Sequence, residues 1–480
     1  MQIQNLPGLR WSNPAEVPQS PKWWLFRLMH RLSAEVDQLV HLDSYASGHH
    51  RLDFIEDPEV AEKFQRQINQ SQSNFMRRVP EVEAERLRVE GLRLPDDSEP
   101  TDTDTWEIYQ RNDLDFWLPV GFYTALVQRR AYWSVWFDDE DEGRARIAFE
   151  SPQQVYVECE PGNAKRRLAA VKWWYDDIDE VQRANVYLPD RIHKFRRGMD
   201  ARSESAWQDD GSEVNPLGVV PIVAMPNKPW ARLDGVSEIE DLIPVQDRIN
   251  HTLYNRQVAE HLAAFRQKWA TGIDIPIDEE TGEPIDTYKA AIDKLWTSPD
   301  AETKFGQFEA SDLTPYRDSI TGDVEHISIL SRTPRHVLTV SGQAPSGDAL
   351  RSAEAGLVAK VRAFQKTADT AIREVLRLAR LVEGKSTPTI AEVQWADPEF
   401  QTFAQLVDGH VKLVQAGVSS LNYAREKVGM RPEVIERVAR EVEADNAARA
   451  ELAKMMAPEP QPTEGSSSSA SSSESSDSDY

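Results

Sequence analysis

The chain has 480 residues, of which 40% are hydrophobic and 9% aromatic, and its formal net charge at pH 7 is −25. This apolar content is enough for buried cores in about three domains. The acidic excess argues against tight, non-specific wrapping of nucleic acid, which needs many Lys and Arg contacts to phosphate, but it leaves loosely held DNA open. A single cysteine, Cys159, excludes an internal disulfide framework and a cysteine-based zinc site.

The N-terminal part changes from helical to strand-like patterning. Residues 23–32 have helical spacing with an aromatic face and continue into Val36, Leu39 and Leu42, so a helix packed in a core or subunit interface is favoured over one lying on a membrane. Further helices are predicted at about 58–68 and 72–87. The period then changes from 3.6 to 2, which predicts strands at 87–93, 131–137, 154–158, 169–175, 184–188 and 219–225. Together they predict one antiparallel sheet carried on helices, an α+β domain.

The middle of the chain returns to helical patterning at residue 237. The predicted helix ends near Trp269 and tolerates Pro244 in its early turns. A small module follows, with extended segments at 273–284, a helix at 287–295 and a strand at 303–308. A further helix is predicted at 314–330.

A Pro- and Gly-containing loop at 331–345 leads into one long amphipathic helix. From Leu350 its apolar residues keep one face, at Leu357, Val361, Phe364, Ala368, Ile372, Val375, Ala379 and Val382. Ser346 can cap its start, and Gly384 follows its last turn. A helix roughly 55 Å long is typical of a spine or of part of an assembly.

The C-terminal part is predicted to be mostly helical. A strand at 387–393 precedes helices at 400–417, 420–428 and 432–456. Residues 457–480 are Pro-rich and then almost entirely Ser, Asp and Glu, so we expect them to be disordered. A solvated linker is favoured there over a polyanionic lure or a phosphorylated partner tail.

The sequence offers little catalytic chemistry. It contains no phosphate-binding Gly-rich loop, nucleophile elbow or His-Glu-x-x-His motif, and His49 and His50 with Asp53 have no matching third metal ligand nearby. Cys159 is expected to be a small buried hydrophobe. The acidic runs at 96–97, 138–142 and 176–180 are expected to be solvated loops, with divalent-metal binding as the alternative. We therefore expect no catalytic residue, no metal site and no cofactor.

No apolar window approaches the length of a membrane span, and the first residues lack the pattern of a signal peptide. We therefore expect neither secretion nor membrane insertion.

Several segments, taken in order, resemble the portal proteins of tailed bacteriophages with long non-contractile tails. The similar segments are 42–49, 85–91, 106–115, 215–223 with 235–239, and 346–351 with Glu354, and together they extend over roughly residues 20–455. Two positions depart from the family pattern. Gln128-Arg129-Arg130 stands where relatives tend to have Tyr-Gly-Arg, and Val236 stands where a basic residue is common.

The resemblance implies the portal fold, a ring-forming subunit that is mainly helical with an antiparallel sheet in its wing. By this plan residues 1–236 and 346–398 form the wing, 237–269 and 313–330 the stem, and 270–312 the clip. Residues 331–345 form the tunnel loop, 399–456 the helical crown, and 457–480 the disordered tail.

The resemblance also implies partners and site residues. Portal subunits form a homo-oligomeric ring, typically of twelve copies, at one capsid vertex, through which double-stranded DNA enters and leaves. The clip is expected to dock the terminase large subunit and later the head–tail adaptor, and its residues are Asp278, Glu279, Glu280, Tyr288 and Trp296. The tunnel-loop residues expected at the DNA channel are Arg332, Pro334, Arg335, His336, Ser341 and Gln343. Major capsid and scaffold proteins complete the expected partners, in the virion and, during assembly, in the host cytoplasm.

The resemblance suggests a role for the negative net charge in the passage of DNA. At −25 each, twelve copies would carry roughly −300 charges, and an acidic channel repels the DNA backbone so that DNA slides without sticking. Arg332 and Arg335 are expected either to touch phosphates transiently or to pair with neighbouring carboxylates. Two other functions stay open on the residues alone: a nucleic-acid enzyme that uses an acidic run with Mg²⁺, and a helical scaffold or adaptor without a pore.

Overall fold

The computed structural model describes residues 17–50, 65–93, 103–201, 203, 206–264, 268–271, 304–307, 312–339, 347–386, 392–399, 403–428 and 432–456. The chain divides into two compact units, residues 1–399 and 400–480. The described part of the first unit contains helices together with four sheets of antiparallel strands. The α+β class predicted from the sequence is confirmed.

The first helix, α1, spans Pro21–Ser47. The Ser20 hydroxyl accepts a hydrogen bond from the Trp23 N–H at its start, and Gly48 ends it with a φ of 88°, a left-handed conformation that glycine adopts without strain. Leu28 and Leu39 are fully buried, so the prediction of a packed helix is confirmed.

The helix predicted at 72–87 is wrong in its first half. Its helical part, α3, spans only Arg78–Ala84, after the short helix α2 at Gln65–Gln70. The Ser73 and Phe75 N–H groups instead donate to the side-chain oxygens of Asn250 and Gln246, at 3.2 and 3.0 Å. These bonds from a distant segment hold the backbone in a non-helical path. Most of the helix predicted at 58–68 lies outside the described residues.

The next elements are strand β1 and a pair of helices, followed by eight strands. Their bounds are β1 Val89–Arg93, α4 Thr103–Arg111, α5 Leu114–Val127, β2 Arg130–Phe137, β3 Ala145–Glu150, β4 Val155–Glu160, β5 Asn163–Asp176, β6 Val181–Tyr187, β7 Arg191–Gly198, β8 Gln208–Val214 and β9 Ile222–Pro226. The strands from β2 to β9 form two sheets, in the orders β3-β2-β9 and β4-β5-β6-β7-β8. Strand β1 pairs elsewhere, so the single sheet predicted from the sequence is wrong.

Strands β3, β7 and β8 were not predicted. In β7 only Ile192 and Phe195 are buried, and β8 has no fully buried residue. Hydrogen bonds to neighbouring strands, rather than apolar alternation, define β7 and the edge strand β8. Strand β3 is the edge strand of the other sheet and pairs with β2.

The following segment contains the helix α6 at Ile243–Ala264, a two-stranded ribbon and a second helix. The ribbon pairs β10 at Lys268–Thr271 with β11 at Lys304–Gln307, and α7 spans Thr314–Ser331. The predicted helix end near Trp269 is wrong, because Trp269 lies in β10 opposite Gly306. Both the strand predicted at 303–308 and the helix predicted at 314–330 are confirmed. The elements predicted between 273 and 295 lie outside the described residues.

A short helix, α8 at Arg335–Leu338, precedes the long helix α9 at Gly347–Val382. Every residue of the apolar face predicted from Leu357 onward is buried, and Gly384 has a φ of 64° as expected for a helix end. Ser346 lies outside the described residues. Strand β12, Glu392–Trp395, follows and pairs with β1. Of the strand predicted at 387–393, residues 392 and 393 belong to β12, and residues 387–391 lie outside the described residues.

Two cores position the site described below. The main core places α9 against α4, α5 and the β3-β2-β9 sheet, with the rings of Phe122 and Phe364 edge to face at 5.9 Å. A second core joins the end of α1 to α3, α6 and α7, and it includes Leu42, Val79, Ile249 and Ile327. A third lies between the start of α1 and the five-stranded sheet.

The second unit contains the helices α10 at Phe403–Gln415, α11 at Leu421–Lys427 and α12 at Pro432–Met456. The three helices predicted here are confirmed, and α12 has the predicted bounds. Residues 457–480 lie outside the described residues.

Candidate functional site

The end of α7 forms a strained turn with an arginine at its tip. Arg332 has a φ of 55° and a ψ of 27°, in the left-handed region. The Thr333 N–H donates to the Ser328 carbonyl at 3.1 Å, and the Arg332 N–H donates to the Ile329 carbonyl at 3.4 Å. This is the Schellman helix end, in which glycine usually takes the left-handed position. A side chain there costs roughly 1–2 kcal/mol, and such strain is concentrated at functional positions.

Hydrogen bonds from hydroxyl groups hold this turn. Ser331 Oγ donates to the Ile327 carbonyl at 2.6 Å, and Ser328 Oγ donates to the Thr333 carbonyl at 2.7 Å. Thr333 and Pro334 are buried on either side of these bonds, whereas Arg332 is exposed. The turn therefore presents one cation on a fixed backbone.

The three basic residues of this segment have different surroundings. Arg335 forms an ion pair with Glu325 of α7, and both side chains are about half exposed. His336 Nε2 lies 3.3 Å from the Glu354 carboxylate, which Arg86 also contacts at 3.1 Å. Arg332 forms no ion pair with any residue that the structure describes. An exposed pair such as that of Arg335 contributes at most about 1 kcal/mol.

Four of the six predicted tunnel-loop residues thus lie in one short segment. Arg332 and Arg335 are exposed, His336 is half-buried, and Pro334 is buried. Ser341 and Gln343 lie outside the described residues. The same holds for all five predicted clip residues, Asp278, Glu279, Glu280, Tyr288 and Trp296.

A buried charge cluster lies directly behind the turn. Lys360 Nζ, from α9, lies 2.8 Å from Glu83 Oε2, 3.0 Å from Glu238 Oε2 and 3.1 Å from the carbonyl oxygen of Ser331. Lys228 Nζ lies 2.7 Å from the other oxygen of Glu238. We call these four side chains, Glu83, Lys228, Glu238 and Lys360, the charge cluster.

The protonation of the charge cluster is set by burial and by its own charges. Burial raises the pKa of Glu83 to about 7, against the opposing attraction of Lys360. Burial also acts to raise the pKa of Glu238, but the attraction of Lys360 and Lys228 outweighs it, so this pKa lies below its usual value. Burial likewise acts to lower the pKa of Lys360, but the attraction of Glu83 and Glu238 outweighs it and the pKa is raised. Lys360 is therefore a cation at neutral pH.

The charge cluster was not predicted from the sequence. One signal was available, because Lys360 falls three residues after Leu357 and four before Phe364, on the apolar face of α9. A lysine at such a position needs buried carboxylate partners. Those partners lie more than a hundred residues away in sequence, so the pattern alone could not name them.

The first departure from the family pattern forms a second left-handed turn. Arg129 has a φ of 71°, and its Nη2 lies 2.6 Å from Glu240 Oε1. Its carbonyl accepts a hydrogen bond from the Asn227 N–H at 2.8 Å. Gly235 packs so closely that an added Cβ would lie 2.0 Å from this carbonyl oxygen. The turn therefore forms with arginine at its left-handed position.

The acidic runs and Cys159, which the sequence offered as possible metal ligands or nucleophile, show no arrangement for such chemistry among the described residues. The acidic run 138–142 is mostly exposed in a turn, while Asp176 and Asp179 of the run 176–180 pair with Arg183. The run 96–97 lies outside the described residues. Burial raises the pKa of the Cys159 thiol, which disfavours its thiolate. Among the described residues no group of His, Cys, Asp and Glu is arranged to hold a metal ion. No described helix is long and apolar enough to cross a membrane.

Comparison with known proteins agrees with the resemblance seen in the sequence. The family described as "Phage portal protein, SPP1 Gp6-like" matches residues 25–448. The portal protein of Mycobacterium phage D29 is 30% identical over 371 residues, which cover 74% of this chain and 75% of the relative. That of Mycobacterium phage L5 is 29% identical over 372 residues, 74% of each chain. The chain therefore belongs to the SPP1 Gp6-like family of phage portal proteins.

Proposed function

We propose that this chain is the ring-forming portal subunit of a phage capsid, a structural conduit rather than an enzyme. Twelve copies would surround a channel at one capsid vertex, through which DNA is packaged and later ejected. Family membership supports the general role, and the turn at Arg332 supports the contact with DNA. In this proposal α6 and α7 form the stem, and the segment after α7 borders the channel.

The observation that carries the DNA contact is the exposed cation on a strained backbone. Glycine at position 332 would avoid the strain, and we infer that the arginine side chain contributes an interaction that offsets it. A guanidinium binds a phosphate through charge-assisted hydrogen bonds. Because the subunit carries a net charge of −25, this contact would be an isolated attractive point on a repulsive wall. Such a contact can guide DNA without retaining it.

The docking partners belong to the same proposal. The segment between β10 and β11 would meet the terminase large subunit during packaging and the head–tail adaptor afterwards. Major capsid and scaffold proteins would surround the ring, which assembles in the host cytoplasm and remains in the virion. The helical second unit would form the crown.

Charge reversal at the turn tests the DNA contact. Particles assembled with Arg332→Glu and Arg335→Glu together are expected to contain several-fold less DNA than wild-type particles, with rings still visible by electron microscopy. The matched control reverses Arg166 and Arg196, two exposed and carboxylate-paired arginines of the five-stranded sheet. Normal DNA content in the Arg332 and Arg335 variant, or an equal loss in the control, would contradict the proposed contact.

A further inference from the structure

Lys360 contacts the last residue of α7 from the long helix. Its ammonium donates to the Ser331 carbonyl at 3.1 Å, and both residues are buried. The last carbonyls of a helix have no partner within the helix and carry partial negative charge. Lys360 therefore provides a hydrogen-bond donor for the carbonyl of Ser331, the residue immediately before the left-handed Arg332.

The carboxylates around Lys360 connect it to two further elements. Glu83 belongs to α3. Glu238 precedes α6, its N–H donates to the Leu126 carbonyl in α5, and its carboxylate also accepts from Asn227 Nδ2 at 2.8 Å. One ammonium thus joins the end of α7 to three separate segments of the first unit.

Stability alone does not explain the charge cluster. Replacing buried ion pairs by well-packed apolar side chains is often neutral or stabilising. Lys360 does, however, donate hydrogen bonds to two acceptors, Glu238 and the Ser331 carbonyl, and these impose a direction that an apolar contact would not, because hydrogen bonds weaken steeply when they are misaligned. Of these acceptors, the Ser331 carbonyl directly precedes the exposed Arg332.

We propose that Lys360 is the positioning residue of the Arg332 turn. Its ammonium, held between Glu83 and Glu238, fixes the Ser331 carbonyl and thereby the orientation in which α7 presents Arg332. The importance of this orientation for DNA rests on the proposed function, whereas the fixing of the turn does not.

The decisive comparison is between Glu83→Gln and Glu83→Gln combined with Lys360→Met, in the full-length assembled protein. The single variant keeps the contact of Lys360 with Ser331. The double variant removes this contact, but Glu238 remains paired with Lys228, so no buried carboxylate is left without a cation. This pair of variants avoids the folding failure that Lys360→Met alone could cause.

The readout is limited trypsin digestion, with mass spectrometry of the products cut after Arg332 and Arg335. We expect cleavage at these sites to be at least tenfold faster in the double variant than in the single variant. Arg380→Met is the control for a general loss of stability, because Arg380 is also a buried cation of α9 and donates to the Ser386 carbonyl at 2.8 Å. The control is expected to leave cleavage at the turn unchanged.

Equal cleavage in the single and double variants would overturn the positioning role, as would an increase of the same size in Arg380→Met. A different result contradicts the proposed function, namely normal DNA packaging after charge reversal at Arg332 and Arg335. Faster cleavage of the double variant would then still support the positioning role.

Discussion

Substitutions at Arg332 separate the cost of its backbone conformation from the contribution of its charge. Alanine removes the cation and keeps the left-handed strain, whereas glycine removes both. The left-handed conformation costs an L-residue roughly 1–2 kcal/mol, and the larger freedom of glycine in the unfolded chain offsets about 0.5–1 kcal/mol of this. We therefore expect Arg332→Gly to be more stable than Arg332→Ala by about 1 kcal/mol.

Thermal unfolding of the purified proteins measures this difference. For a chain of this size about 1 kcal/mol corresponds to a shift of roughly 1–2 °C in Tm. In particle assembly both variants should package less DNA than wild type, and Arg332→Lys, which keeps a cation, should package more than either. A glycine variant less stable than the alanine variant would refute the strained turn. Wild-type packaging by the glycine variant would refute the need for the charge.

Two further substitutions test the buried surroundings. Burial raises the pKa of Glu83 from 4.5 to about 7. The protonated side chain therefore stabilises the folded state at low pH, and this stabilisation is lost as pH rises from 4.5 to 7. The free energy of unfolding of Glu83→Gln should accordingly rise by up to about 3 kcal/mol relative to that of wild type between about pH 4.5 and 8. Chemical denaturation of both proteins across this pH range measures the difference in unfolding free energy. A fall in the stability of the variant relative to wild type as pH rises would contradict the raised pKa. Gly235→Ala should destabilise by several kcal/mol because its Cβ would meet the Arg129 carbonyl, whereas Gly143→Ala, with an equally positive φ and open space, should cost only about 1 kcal/mol. Equal unfolding midpoints of these two variants would contradict the close packing at Gly235.

Local periodicity was sufficient where one face of an element meets one core. The long helix is the clearest example, because the residues of its predicted apolar face from Leu357 to Val382 are all buried. The helix at 432–456 was likewise marked by its own sequence, with proline at its first position.

Pairing between distant residues accounts for the errors. Residues near Trp269 continue a helical pattern, yet they form a strand because 304–307 lies opposite. Ser73 and Phe75 give up helical bonds to side chains of α6. Strand β8 has almost no apolar alternation and is held by its neighbour β7. These contacts depend on the folded chain, so no window of sequence contains them.

The candidate site was predictable only in part. The position of the turn followed from the Pro- and Gly-containing loop and the family resemblance, and the sequence indicated its basic residues. The left-handed conformation of Arg332 could not be anticipated, because glycine is the usual residue there. The charge cluster forms only in the folded chain, because Glu83 lies in α3, Lys360 in α9, and Lys228 and Glu238 in the segment between β9 and α6.

Electron microscopy of the purified, assembled protein shows whether the subunits form a ring around a channel. We expect rings with a central hole, with the Arg332 turn of each subunit at the wall of that hole. Monomers under all conditions, closed particles without a hole, or rings with this turn on the outer surface would contradict it.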